Sequence, residues 1–355
     1  MHDSSKYNND KKNYNNQKLL TIAIPTRNRH EFLQENLSSL NSQIKGFESV
    51  VEIIVCDNSD DDLSKKIVDN YNSLNLNIIY KKNIKDIGSD RNIAQSFNMA
   101  QGKYVHIIGD DDIYYINTLS KLIEKITTGE YGSIFLRPYG FESNYLKEYP
   151  SIKIGRNKVF GRDDFLLKIA TQITLLSAHV INKSLIKNIN ANDYCGTNLV
   201  QVNLLLDAVT KTNKNYYFNE YLLAYKKNNS GGYNLFDIFI NKFGLILDDY
   251  VEKKLLSQNL KEKIECKKIK YFFPLYLFRH KYCLNKNLKE VQIYFTRLKK
   301  YNCYKYFIRP IFKLPNALSW SWCVALIIYG RLLNGDVALG ATYLKSIIRK
   351  KIFFN

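Results

Sequence analysis

In the first third of the chain, apolar residues come in short unbroken runs. After each run they recur every three or four positions instead. Leu19-Leu20-Thr21-Ile22-Ala23-Ile24 is one such run, ended by Pro25, and Phe32, Leu33, Leu37 and Leu40 follow at helical spacing. Val50 to Cys56 is a second run, with Leu63, Ile67, Val68 and Tyr71 marking the next helix face. A third strand, Asn77 to Tyr80, leads through Gly88-Ser89 into a helix from Asp90 to Ala100, and Gly102 ends it before a fourth strand, Tyr104 to Ile108. Strands alternating with helices predict an α/β fold whose sheet is parallel, with right-handed crossovers.

Beyond this point the pattern is less regular. Leu119, Leu122, Ile123 and Ile126 predict a helix and Gly132 to Arg137 a fifth strand. A helix from Asp164 to Ala170, an apolar stretch from Ile173 to Ile181 and a helix from Leu199 to Val209 follow. Asn228 to Tyr233 combines turn formers with two glycines and predicts a linker, or a loop that closes over a ligand. From Leu235 the pattern is helical. The expected organisation is a disordered leader at 1–18, an α/β domain at 19–230 and a helical region at 231–355. Ala317 to Leu333, with Trp320 and Trp322, is shorter than the roughly 20 apolar residues a bilayer span needs, and suits a helix lying at an interface.

Charge changes the picture of the C-terminal region. A hydrophobic content of 45% and a charged content of 24% over 355 residues are ordinary for a globular protein, but the net charge is +19. From Val251 onward 22 Lys and Arg face 5 Asp and Glu, so nearly all of the excess sits there. Its partner should be acidic, and Lys, Tyr and Phe interleaved from Lys267 to Tyr306 fit an anionic membrane surface or a single-stranded nucleic acid. Six cysteines without a C-x-x-C pair, and a start without an apolar targeting run, lead us to expect a reducing cytoplasm.

The chemistry concentrates at the ends of the first four strands, where a parallel sheet binds its ligands. These ends read Pro25-Thr26-Arg27-Asn28-Arg29, Asp57-Asn58-Ser59-Asp60, Asn83 through Arg91-Asn92, and Gly109-Asp110-Asp111-Asp112. Three adjacent carboxylates repel one another and persist mainly where a cation or donors offset them, and hard oxygens suit Mg²⁺ or Mn²⁺. The plainer readings are a polar turn for the triplet, a helix cap for Asp57, and solvated charges for Arg27, Arg29 and Arg91.

In order and spacing, Ile22 to Arg29, Glu52 to Asp60, Arg91-Asn92 and Gly102 to Asp112 resemble the signatures of family 2 glycosyltransferases of GT-A fold, over about residues 19–135. The resemblance implies a GT-A catalytic domain with a mostly parallel central sheet and helices on both faces. It implies a nucleotide-sugar donor, a polysaccharide or lipid-linked glycan acceptor, and Mn²⁺ or Mg²⁺. The phrase Gly109 to Asp112 also resembles the branch that adds sugars to bacterial surface polysaccharides. Carried over by position, the Pro25-Thr26 loop and Asp57 would hold the nucleotide, Arg91 would stand near the donor, and Asp110 and Asp111 would form a DxD-type pair with Asp111 the metal ligand. Arg27 and Arg29, placed after a buried strand, fit phosphate contact, and Asp110 or Asp112 would hold water or ribose beside the metal.

The chemistry fits without the name, because a divalent cation stabilises charge as it grows on a departing nucleoside diphosphate. An inverting transfer also needs a base. The family's usual Glu-Asp-like pair is missing. Asp193 is the first candidate and His179 the second, with a buried structural His the plainer reading of the latter. Neither Trp belongs to a Gln-x-x-Arg-Trp element, so non-processive transfer is expected. A haloacid-dehalogenase-like phosphatase would need its Asp-x-Asp where Pro25-Thr26-Arg27 stands, and a dinucleotide-binding oxidoreductase a Gly-rich first turn. A basic membrane or nucleic-acid adaptor would use the triplet only structurally. The expected partners are donor, acceptor and an anionic membrane, with no nucleic acid, and the expected place is the cytoplasm, peripheral at the inner face of the membrane.

Overall fold

The computed structural model describes residues 18–151, 155–227 and 232–334. All but the last residue of the expected leader at 1–18, most of the expected linker at 228–233 and the tail beyond 334 lie outside the described residues. Strands β1 (Leu20–Thr26), β2 (Val51–Asp57), β3 (Ile78–Lys82) and β4 (Tyr104–Ile107) lie parallel in the order β3-β2-β1-β4. Helices α1 (His30–Asn41), α2 (Leu63–Ser73) and α3 (Ser89–Met99) connect them.

The unbroken apolar runs are explained by two cores. Ile22 and Ile24 of β1, with Ile53 and Val55 of β2, face Leu33, Leu37 and Leu40 of α1 and Val68 of α2. Their neighbours Ala23, Ile54 and Cys56 face Ala94 and Phe97 of α3 on the other side. A strand covered on both faces cannot alternate polar with apolar.

Past β4 come β5 (Ile113–Tyr114), α4 (Thr118–Thr128), β6 (Ser133–Phe141), β7 (Lys158–Phe160), α5 (Arg162–Ile169), β8 (His179–Asn182), α6 (Val200–Thr210) and β9 (Asn215–Lys226). The sheet continues from β4 as β8-β6-β9-β5, with β8 antiparallel to both β4 and β6 and β7 added beside β9. Several elements depart from the sequence reading, the short strands β5 and β7 among them. The predicted fifth strand runs on through Pro138 to Phe141, and β9 was not predicted at all. Register shifts around Arg137 and Pro138 mark an irregularity between β6 and β9 that breaks the two-residue period, so neither strand shows clean alternation.

A wider helical turn, Asp237–Lys242, leads into α7 (Phe243–Glu252). Its Ile238, Phe243, Leu247 and Tyr250 share the core of α3, α5 and α6, and the Tyr250 hydroxyl donates to Asp207 at 2.6 Å. Asp207 is thus a link between α6 and α7. The remaining helices are α8 (Gln258–Tyr271), α9 (Phe273–Phe278), α10 (Lys289–Gln292), α11 (Asn302–Phe307), α12 (Arg309–Lys313) and α13 (Asn316–Asn334). They close around a separate cluster that includes Phe273, Phe278, Phe295, Ile308 and Cys323. No described helix is long and apolar enough to cross a membrane.

Candidate active site

The chain leaves β1 for β2 on one side while β4 adds on the other, so a crevice opens at the carboxyl ends of β1 and β4. The Thr26 hydroxyl spans it, donating to Asp110 at 2.7 Å. The parallel register places Thr26 beside Asp57, and Asp57 beside Lys82.

Asp110 is almost fully buried and also accepts from Arg29 at 3.1 Å, while the same guanidinium nitrogen stands 3.6 Å from Asp111. Burial, then the charge of Asp111, pushes Asp110 up to about 6, with Arg29 and Thr26 working the other way. Asp112 accepts from the Lys226 backbone N–H at 3.2 Å and bonds the Ser177 hydroxyl. Burial, then Asp111, pushes it up to about 8. Burial works against the Arg29 charge, but the three carboxylates outweigh it and raise its pKa. One guanidinium therefore stands against three crowded acids, an arrangement that favours a further cation.

The backbone of the acidic turn is pinned from several sides. Asn36 of α1 donates to the Asp112 carbonyl at 2.6 Å and to that of Gly109 at 3.2 Å. The Gly109 N–H donates to Ser177 at 2.8 Å. A Cβ on Gly109 would stand 3.0 Å from an Asp111 carboxylate oxygen, which explains the glycine.

Beneath the turn, His106 Nε2 lies 2.7 Å from the Ser177 carbonyl and Nδ1 lies 2.6 Å from the Tyr114 hydroxyl. A carbonyl only accepts, so Nε2 carries the hydrogen and the tyrosine donates to Nδ1. Burial pushes this imidazole down to about 4, so at neutral pH it is an uncharged brace between the segments on either side of the triplet.

Asp57 is fully buried and accepts from the Tyr80 hydroxyl at 2.6 Å, from Lys82 at 3.2 Å and from the Ser59 N–H at 2.8 Å. It caps no helix, since α2 begins at Leu63. Asn92 donates to the Cys56 carbonyl at 2.9 Å and accepts from Asn83, fastening the third loop to the sheet, and Arg27 pairs with Asp86 of that loop at 2.6 Å.

The expected residues thus divide. Thr26, Arg29, Asp110, Asp111 and Asp112 form one cluster, with Pro25 and Asp57 at the adjoining strand ends. Arg91 is exposed on α3, beside a shallow cleft lined by Gln95, Asn98 and Asn192. Asp193 is exposed on the turn Ala191–Tyr194 packed against the same helix, and both charges act on the Cys195 thiol. His179 stands in the core, its ring tilted against Phe135 at 5.4 Å and its Nε2 3.3 Å from the Gln172 carbonyl. Burial pushes it down to about 4.

Sequence reasoning passed over Asn36, His106, Ser177 and Lys226. Asn36 and His106 carried a signal, since each is a polar residue inside an apolar pattern. Ser177 and Lys226 carried none, because their role arises from β8 and β9 folding back beside β4 and β5. Tyr233 stands close enough to Asp111 for its charge to add to burial in raising the phenol's pKa.

The acids fit only a particular kind of metal site. Asp110 and Asp112 are buried and held by protein donors, and Asp111, the least buried of the three, stands 3.6 Å from Arg29. Among the described residues no group of three or more His, Cys, Asp or Glu is placed to hold a metal. A hard cation such as Mg²⁺ or Mn²⁺ keeps its waters, takes other oxygens from a substrate's phosphates and needs only one or two protein carboxylates.

The sheet order, the crevice and the acidic turn after β4 define an α/β protein of GT-A fold. Residues 21–189 match the family model described as Glycosyl transferase family 2. Over 105 residues the chain is 39% identical to the abequosyltransferase RfbV of Salmonella typhimurium, covering 29% of this chain and 31% of that protein. It is 25% identical over 122 residues to the minor teichoic acid biosynthesis protein GgaA of Bacillus subtilis, covering 34% and 27%. The chain spans between 27% and 62% of the length of the curated relatives it matches. Among solved structures, residues 1–349 of S. aureus TarS superpose with a TM-score of 0.61 at 16% identity, covering 88% of this chain and 91% of that one. The same part of TarS in complex with UDP-GlcNAc superposes with a TM-score of 0.56.

Proposed function

We propose that this chain transfers a sugar from a nucleoside diphosphate donor to a polysaccharide or lipid-linked glycan acceptor, one unit per encounter and with inversion. The observation that carries the reading is the contact network of Thr26, Arg29, Asp110 and Asp111 across the crevice between β1 and β4. The family match and the nucleotide-sugar complex of TarS support the donor class.

Asp111 would hold Mn²⁺ or Mg²⁺, with Asp112 behind it, and the bound ion supplies electrostatic stabilisation of the departing diphosphate. Arg29 is half-buried and already oriented by two carboxylates, so a phosphate entering the crevice meets a cation whose freedom is already restricted. Asn36, Ser177 and His106 hold the turn that carries Asp111. Pro25, Asp57, Arg27 and Arg91 would line the nucleotide side. For the acceptor's proton the reading keeps Asp193, which is exposed, ahead of His179, which is buried. The acceptor in this reading sits at the inner face of an anionic membrane, met by the basic C-terminal region.

Titration calorimetry with a panel of nucleoside diphosphates, with Mn²⁺ and with chelator, tests the site. We expect metal to tighten binding at least about tenfold, and Asp111→Ala to lose that gain. Binding equally tight in Asp111→Ala with metal present would overturn the site as drawn.

A further inference from the structure

The outer side of α13 carries an apolar stripe that glycosyl transfer does not use. Ser319, Cys323, Leu326 and Ile327 are buried on the inner side, against α8, α9 and α12. Leu318, Trp322, Ile328 and Tyr329 are 57%, 38%, 42% and 45% exposed. Ser321 and Ala325, also exposed, complete the row. Positions 318, 322, 325 and 329 follow the 3.6-residue period, so the row is one continuous face about 16 Å long. Scattered exposed apolar residues are ordinary, but a row of them with an indole and a phenol on a single helix face is a contact surface.

The charge of the segment that leads into the stripe selects its partner. Lys305, Arg309 and Lys313 are exposed at four-residue steps along α11 and α12, which lead directly into α13. No Asp or Glu occurs between Glu290 and Asp336, whereas seven Lys and Arg do. Of these, Arg297 is already paired with Asp248 and Glu265. A second copy meeting this face would bring cations against cations. A single-stranded nucleic acid would gain phosphate contacts, but the aliphatic Leu318 and Ile328 offer its bases no stacking plane.

We propose that this face docks on an anionic lipid surface, with α13 lying in the headgroup plane. Leu318, Trp322 and Ile328 enter the acyl boundary, while Lys305, Arg309 and Lys313 meet lipid phosphates. The proposal rests on the reading of a membrane as the partner of the C-terminal region, and names the face that makes the contact.

The test is cosedimentation of the full chain with vesicles of phosphatidylcholine, with and without phosphatidylglycerol. Binding is expected only with the anionic lipid, and it should weaken as salt rises. The triple variant Leu318→Ser, Trp322→Ser, Ile328→Ser should lose about tenfold or more in partitioning, and reversal of each of the three cations to Glu about fivefold or more. Nucleoside diphosphate binding in solution should stay at the wild-type value in every variant, so failure of the donor site and failure of this face read out separately. Equal partitioning of the triple variant, or equal binding to both lipids, overturns the proposal. So does a wild-type dimer that the triple variant breaks, which would give the stripe to a second copy. A lower melting temperature of the triple variant would also overturn it, because the stripe would then be covered by its own chain.

Discussion

The rim of the sheet and the helical lobe bury charge in opposite ways. At the rim, Asp57, Asp110 and Asp112 are all buried, and each carboxylate is met by named donors: Tyr80, Lys82 and a backbone N–H for the first, Thr26 and Arg29 for the second, Ser177 and the Lys226 N–H for the third. In the lobe, Lys268 of α8 is 1% exposed and its ammonium finds no hydrogen-bond partner among the described residues. It faces the rings of Phe243 at 3.8 Å, Phe239 at 5.2 Å, Phe272 at 5.3 Å and Phe273 at 5.9 Å. Directional partners fix an oxygen in one place, and that is what a ligand site needs. Ring faces tolerate a cation without orienting it. The comparison therefore marks the rim as the place where chemistry is prepared and the Lys268 cage as a packing solution.

Removing the one guanidinium from the acidic cluster should break the comparison most severely. Arg29→Gln leaves Asp110 and Asp111 without their charged partner. We expect a loss of about 2–3 kcal/mol in metal-free unfolding experiments, at the low end for breaking a buried pair because Arg29 is partly exposed. Transfer should fall about a hundredfold or more, since the same group would contact the donor phosphate. A variant with wild-type stability and activity would show that the triplet is balanced by something other than Arg29.

A smaller effect is expected from Ser177→Ala. The hydroxyl accepts from the Gly109 N–H and bonds Asp112, so its loss strands a buried donor and a buried carboxylate, at about 1–2 kcal/mol. Because Ser177 reaches the donor only through the turn it holds, Mn²⁺-dependent nucleotide affinity should weaken while metal-free affinity changes little. Equal weakening of both would make Ser177 a general stability residue.

The two regions were also unequally legible in the sequence. The rim could be read because β1, β2 and β4 are unbroken apolar runs, and each stops at a residue that is polar for a reason: Thr26, Asp57 and Asp110. Periodicity then fixed the element, and order along the chain fixed the edge. The residues that brace the triplet from β8 and β9 could not be read, since β8, antiparallel beside β4, and β9, antiparallel beside β5, bring Ser177 and Lys226 there only through long-range pairing. The irregular pairing around Pro138 hid β9 altogether. In the lobe the interleaved Lys, Tyr and Phe suggested an exposed basic face. For Lys268 the structure shows the reverse, because four aromatic side chains from neighbouring helices close over it.

The mildest expected effect concerns that lysine and sharpens the contrast. Burial, partly offset by the charge of Glu265, pushes the Lys268 ammonium down to about 7, against about 10.4 for an unfolded lysine. Glu265 itself is occupied by Arg297 and Tyr301, so it gives the ammonium attraction at a distance but no bond. Between pH 7 and 10 the unfolded chain binds a proton that the folded chain does not, so this group makes wild-type stability rise with pH through that window and adds no slope below it. Lys268→Met keeps the volume, removes the buried charge and abolishes the slope. It should be more stable than wild type by roughly 1 kcal/mol at pH 6.5, and the margin should vanish and reverse toward pH 9, where wild-type Lys268 is neutral. Cys and Tyr titrations are common to both proteins and cancel in the difference between urea unfolding curves at the two pH values. A Lys268→Met variant less stable than wild type at pH 6.5 would mean that the four rings outweigh the lost hydration. The lobe would then be held together by its charge, and the contrast with the rim would shrink to one of geometry alone.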